Sequence, residues 1–211
     1  MKRVLSLVIG LSIIIGTGSL VAQDYFPLTP GNKWHYEWAK SEIILEVAAA
    51  LHVYNGNTYW AVIDRTPEIA YDSSTIVFEG QPYQIYRMGR EGMPITTMFC
   101  RKDTEGNVYW YDDEFNIESL IIPHRQKNGK TWMSHDKRLQ FKIISTKGIF
   151  ESKFAVFRDC LVISTKVLIP RYPGTFPVTF NYYCEGIGHV GSKTENESKM
   201  MLLKWAINNA R

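Results

Sequence analysis

The chain has 211 residues, with 24 Lys and Arg against 21 Asp and Glu, and so a formal net charge of +3. That balance leaves no basic footprint for nucleic acid or an anionic membrane surface. Aromatics make up 13% of the residues, and Val, Ile, Thr and Tyr recur between Gly, Asn and Pro, a composition that favours strands.

Residues 1–22 read as a secretory signal peptide, with Lys2 and Arg3 at the start, an apolar run from Val4 to Ile15, and the small Ala22 at the expected cut. The run is too short and too punctuated by Gly and Ser for a membrane span of about 20 residues. Its removal takes away two positive charges and no acid, leaving +1. The mature chain, 23–211, is therefore expected to be exported to the periplasm or beyond, with no integral membrane span. No cysteine precedes Cys100, which argues against a lipid anchor. An uncleaved N-terminal anchor is the competing reading, because Leu20-Val21-Ala22 is an imperfect site.

The mature length suits a single β-rich domain. In "DYFPLTPGNKWHYEW", 24–38, Pro27 and Pro30 stiffen the approach, Gly31 permits a turn, and Trp34, Tyr36 and Trp38 alternate onto one face of a first strand. "SEIILEVAAALH" has helix-forming alanines, but it runs into Asn55-Gly56 between alternating flanks, the strongest short hairpin signal. A strand to Tyr54 and a return over Thr58–Asp64 follow. Strands are expected at Thr75–Phe78 and Tyr83–Met88. A second hairpin joins Thr96–Lys102 to Val108–Asp112 through Glu105-Gly106-Asn107. A third turns near Lys147-Gly148, a fourth at "RYPGTF", 171–176, and "MMLLKWAIN" sets Met201, Leu203, Trp205 and Ile207 on one face. Strands joined by short turns with no helix between them imply a mainly β, antiparallel meander. Runs apolar on both faces, such as Val162–Ile169, predict a strongly curved sheet or half-barrel.

Position 172 is the midpoint between Cys160 and Cys184, so a hairpin closing there without a bulge sets the two face to face, ready to bridge. One bulge would displace them, and two buried thiols are the alternative. "FPLTPGNKW" and "IPHRQKNGKTW" share Pro and then Gly-x-x-Trp, with prolines 96 and tryptophans 98 residues apart. This echo suggests two related halves, about 24–120 and 121–211.

"YFPLTPGNKWHYEW", "YRMGREG", "GNVYWYD", "IIPHRQKNGKTW", "FRDCLVI" and "YYCEGIGHV" together resemble a loosely defined family of uncharacterised exported bacterial domains. Its members run from an aromatic-Pro-Leu-x-x-Gly-x-x-Trp start to a Tyr-Tyr-x-x-Gly-x-Gly-x-Val close. The resemblance spans nearly the whole mature chain and implies export and a β-rich fold. It brings no activity and no site residues. His189 stands where an apolar residue is more usual.

Little in the chain points to chemistry. "GIGHVGSKTENES" has neither the Lys-Ser/Thr of a phosphate loop nor a following helix, and reads as a strand-end turn. His35, His52, His124, His135 and His189 show none of the short spacings of zinc sites, and no metal or cofactor is expected. Asp112, Asp113, Glu114 and Glu118 read as solvated turns rather than a calcium site. No Gly-x-Ser-x-Gly occurs. Cys100 lies beside Arg101, which an ideal strand points to the opposite face, so it reads as buried or bridged. The catalytic set is accordingly empty.

Ligand-contact candidates are the aromatics Trp34, Tyr36 and Trp38, with Tyr183 and His189 near the close. For the first three, a core role outweighs a stacking platform. The leading expectation is a non-catalytic domain acting in envelope structure or partner binding, its partner an envelope or extracellular protein. The alternatives are a carrier of an apolar, lipid-like small molecule in a curved-sheet cavity and an envelope hydrolase that pairs His189 with Glu185.

Overall fold

The computed structural model describes residues 23–38, 41–65, 75–78, 81–84, 95–112, 116–170, 174, 176–196 and 199–207. Residues 1–22, read above as a signal peptide, the strand end at 85–88, Asp113 and Glu114, and most of the turn expected at 171–176 lie outside the described residues. Those residues form strands and no helix: β1 Lys33–Trp38, β2 Ser41–Tyr54, β3 Asn57–Asp64, β4 Thr75–Phe78, β5 Gln81–Gln84, β6 Ile95–Lys102, β7 Val108–Asp112, β8 Ile117–Ile122, β9 Thr131–Met133, β10 Leu139–Glu151, β11 Val156–Val167, β12 Thr179–Cys184, β13 Gly188–Thr194 and β14 Lys199–Ala206. Among them, no helix is long and apolar enough to cross a membrane.

Twelve strands make one sheet in the order β8-β7-β6-β3-β2-β1-β14-β13-β12-β11-β10-β9, while β4 and β5 pair separately. Every pairing is antiparallel. The edges, β8 and β9, are consecutive in the chain. No ladder joins them, but the Trp132 indole N–H donates to Leu120 O (2.9 Å) and the His135 N–H to Ser119 Oγ (3.3 Å). The sheet therefore curves until its two edges touch through side chains. These two bonds tie the edge strands to each other without closing the ladder.

Local sequence explains most of the elements. Asn55 and Gly56 have φ of 49° and 75°, the doubly positive geometry of the turn that matches strand twist. The segment holding the alanines becomes β2 because β1 ladders onto Ser41–Glu46 and β3 onto Leu45–Val47 and Leu51–Tyr54, on either side of the alanines, and that tertiary pairing outweighs helix propensity. Two expectations need correction. The chain does not turn at Lys147-Gly148: β10 continues to Glu151, and Ser152 turns it by accepting the N–H groups of Phe154 (3.2 Å) and Ala155 (3.0 Å) at Oγ. Gly148 is instead a packing position, since a Cβ there would lie 2.2 Å from Val162 Cγ2. In β14 the buried residue is Leu202, while Trp205 is 40% exposed. An irregularity in the β1–β14 register at His35/Tyr36 shifts the alternation.

The echoed segments carry the same backbone bonds. Gly31 N–H donates to Val47 O and Val47 N–H to Asn32 O, both at 2.9 Å; Gly129 N–H donates to Ile143 O (2.8 Å) and Ile143 N–H to Lys130 O (2.9 Å). The two glycines have φ of 82° and 84°. Each segment opens a six-stranded meander, β1-β2-β3-β6-β7-β8 and β9-β10-β11-β12-β13-β14. Each lead-in is held by the other meander: Gly186 N–H, in the β12–β13 turn, donates to Asp24 O (2.8 Å), and His124 N–H donates to Asn107 Oδ1 (2.7 Å) in the β6–β7 turn.

The concave side holds the main core, with Trp34, Tyr36, Val47, Phe150, Leu161 and Leu202 at 2% exposure or less. Each such side chain contributes about 1.5–3 kcal/mol by leaving water. A second cluster, Tyr59, Ala61, Ile63, Phe99 and Tyr111, lies on β3, β6 and β7, with Tyr54 packed against it. The apolar character of both faces is thus used twice.

Candidate functional site

Four of the five aromatic and histidine candidates meet inside the sheet. Trp34 donates its indole N–H to Ile187 O (2.6 Å), and the Tyr36 hydroxyl donates to His189 O (2.9 Å). Tyr183 and His189 are register partners on β12 and β13, with ring centroids 5.2 Å apart, and Tyr36 stands 5.5 Å from His189. Phe26 links Trp34 to Tyr183. Trp38, at the end of β1, is 44% exposed and belongs elsewhere.

Burial raises the Tyr36 and Tyr183 phenols well above their ordinary values. It lowers the His189 imidazole to about 4, against an opposing pull from the Gly191 backbone. At neutral pH this histidine is uncharged. No hydrogen bond or ion pair joins it to Glu185, which is exposed on the turn outside, so the pair a hydrolase would need is not assembled. Cys100 is buried, and desolvation pushes its thiol up to about 12, leaving no thiolate for nucleophilic work. Glu118 is engaged by the Arg101 guanidinium through two bonds, 2.5 and 2.8 Å. Among the described residues, no group of three or more His, Cys, Asp or Glu is placed to hold a metal.

The strands that carry the cysteines build a different site. Leu161 pairs with Tyr183, so one step further Cys160 faces Cys184. Their Cα atoms are 4.5 Å apart and the two are disulfide-bonded. Over this bridge opens a cleft of about 520 Å³, whose walls include Tyr25, Lys147, Phe157, Arg158, Asp159 and Glu185. That volume falls in the range of small-ligand sites, roughly 300–1,000 Å³.

A bulge in β11 sets the chemistry of the cleft. Between the pairs Gly148↔Cys160 and Phe150↔Phe157 the β10 chain takes two steps and the β11 chain three. The extra residue puts Arg158 and Asp159 both on the exposed side, and Asp159 has φ of 54°. Asp tolerates the left-handed region better than most residues, yet a non-glycine there costs of order 1–3 kcal/mol, a strain that concentrates at functional positions. The Tyr25 phenol is raised by burial first, then by Glu185 and Asp159, so both carboxylates act on the same wall.

None of the side chains of Lys147, Arg158, Asp159 and Glu185 makes an ion pair or hydrogen bond among the described residues. Elsewhere charged neighbours do pair, as in Arg101–Glu118 (2.5 Å), Lys153–Glu37 (2.6 Å) and Lys33–Glu46 (3.2 Å). The cleft thus presents two positive and two negative groups with nothing to satisfy them but water or a ligand.

Sequence reasoning named neither the cleft nor Arg158, Asp159, Lys147 and Tyr25. A usable signal was present in "FRDCLVI": strict alternation with Phe157 and Leu161 inward also turns Asp159 inward, and a carboxylate at an inward position marks a bulge. No family model, curated protein or solved structure matches this chain, so the reading of the cleft rests on its geometry.

Proposed function

We propose that the protein is an exported, non-catalytic binding domain of the envelope or extracellular space, and that the cleft over the Cys160–Cys184 bridge is its ligand-facing surface. The carrying observation is the set of four uncompensated charges on the walls of one concavity. A disulfide at its floor suits an oxidising compartment, in keeping with the signal-like segment 1–22. The reactive groups nearby are poorly suited to turnover: the sulfurs are bridged, and an imidazole titrating near 4 is a weak general base. Tight aromatic packing around Trp34 and Tyr36 weighs against a large apolar cargo inside the sheet.

The test is native mass spectrometry of protein purified from an exporting host, compared with the Arg158→Glu/Glu185→Lys double variant. An extra mass retained by the wild type and lost in the variant is the expected outcome. A retained mass that survives the double substitution would move the site elsewhere. Turnover of a defined substrate, abolished by one point substitution, would replace binding with catalysis.

A further inference from the structure

We infer that the cleft takes a small zwitterion of the amino-acid or short-peptide class, its ammonium group held by Asp159 and Glu185 and its carboxylate by Lys147 and Arg158. This rests on the binding reading above and specifies the ligand.

Removing a charged side chain from water without a partner is costly, so an occupant of the cleft must replace the water on both signs at once. A simple anion would meet Lys147 and Arg158 but also Asp159 and Glu185. A simple cation meets the same conflict reversed, and a neutral molecule satisfies neither pair. A ligand with one group of each sign satisfies all four.

The shape agrees with that solution. The β11 bulge turns Arg158 and Asp159 out side by side on the exposed face, and among the described residues no ion pair joins them. Glu185 comes from the β12–β13 turn and Lys147 from β10, so the four charges reach the cleft from three segments. The guanidinium can grip a carboxylate with two parallel bonds. Val156, Phe157 and Ile187 also line the cleft, giving apolar wall for a side chain between the two charged ends.

The experiment is isothermal titration of protein from an exporting host with glycyl-L-phenylalanine, its N-acetylated form and its C-terminal amide. The free dipeptide should bind, and blocking either end should weaken it about tenfold, the loss expected for one charge-assisted contact. Arg158→Gln should cost the free dipeptide about tenfold and leave the amide unchanged, since the amide has no carboxylate to lose. Glu185→Gln should do the same for the N-acetylated form. Both residues are exposed, so circular dichroism melting should report unchanged folds. If free and blocked peptides bind alike, the zwitterion is wrong while the cleft remains a binding site. If none binds at millimolar concentration, or neither variant changes the free dipeptide, the inference is overturned.

Discussion

The β6–β7 turn and the β12–β13 turn occupy the same place in the two six-stranded meanders, and each holds the lead-in of the other meander, yet they are finished in opposite ways. In the first, Asp103 accepts the N–H groups of Glu105 (3.0 Å) and Asn107 (2.9 Å), the Asn107 side-chain amide (2.7 Å) and the Tyr109 hydroxyl (3.2 Å). In the second, Glu185 has no bonded partner among the described residues and faces a cleft. The scaffold supplies the position of both turns; side chains alone decide whether it is sealed or open.

The same contrast continues in the strands behind each turn. Phe99 pairs with Tyr111 in the first meander, and at the corresponding place Tyr182 pairs with Gly191 in the second. Tyr54 stacks on Tyr111 at 4.6 Å. Phe150, the counterpart of Tyr54, lies over Gly191 so closely that a Cβ there would stand 2.2 Å from its ring and 2.5 Å from Met200 O. Gly191→Ala should therefore cost about 4 kcal/mol, from overpacking plus backbone strain at a φ of 152°. Urea unfolding would measure it, and a loss below about 1 kcal/mol would mean Phe150 has room to move.

The disulfide is the next largest difference, since the first meander has the single buried thiol of Cys100 instead. A bridge spanning 24 residues constrains the unfolded chain, and its reduction should lower stability by about 3 kcal/mol. Unfolding with and without reductant, with a two-hydrogen mass gain as control, tests this. An unchanged midpoint in a fully reduced sample would mean the strand pairing alone holds β11 to β12.

The pH dependence should also be lopsided. His189 titrates near 4 when folded and near 6.5 when free, so between those values the unfolded chain binds the extra proton. Stability is then complete above about pH 6.5 and falls as pH drops toward 4, by at most about 3 kcal/mol. The partner of Cys100 in the first meander is Trp110, which does not titrate. His189→Gln should flatten the profile between pH 4 and 6.5, and a wild-type profile already flat there would show that the imidazole stays hydrated.

These contrasts also mark what was legible in the sequence. The meander, the Asn55-Gly56 turn, the facing cysteines and the Gly-x-x-Trp echo all depend on local chemistry or simple parity, and parity survives where ladders are regular. It failed at β14, where one register irregularity shifts the expected face, and a glycine read as a turn at Gly148 proved to be a packing position within β10. The cleft was hidden for the same reason. Its charges come from three separate stretches of the chain, at Lys147, Arg158-Asp159 and Glu185, and converge only through a bulge that strict alternation does not contain, and "YYCEGIGHV" yielded its glycine turn but not the exposed role of Glu185.

The smallest effect returns to the two turns. Asp103→Asn removes the charge from a side chain that receives four hydrogen bonds, and should cost about 1 kcal/mol. Burial alone would raise this carboxyl, but the bonds from Asn107, Tyr109 and Glu105 prevail and lower it, so its stabilisation is fully present above the ordinary carboxylate range and is lost as pH falls from there through the lowered folded value. Glu185→Gln should change stability by less than about 0.5 kcal/mol, because an exposed charge with no partner holds nothing in place. Thermal unfolding at pH 7 of both variants gives the comparison directly. If Glu185→Gln proves as costly as Asp103→Asn, the second turn is sealed by a contact of its own, and the charges around the cleft are structural rather than free for a ligand.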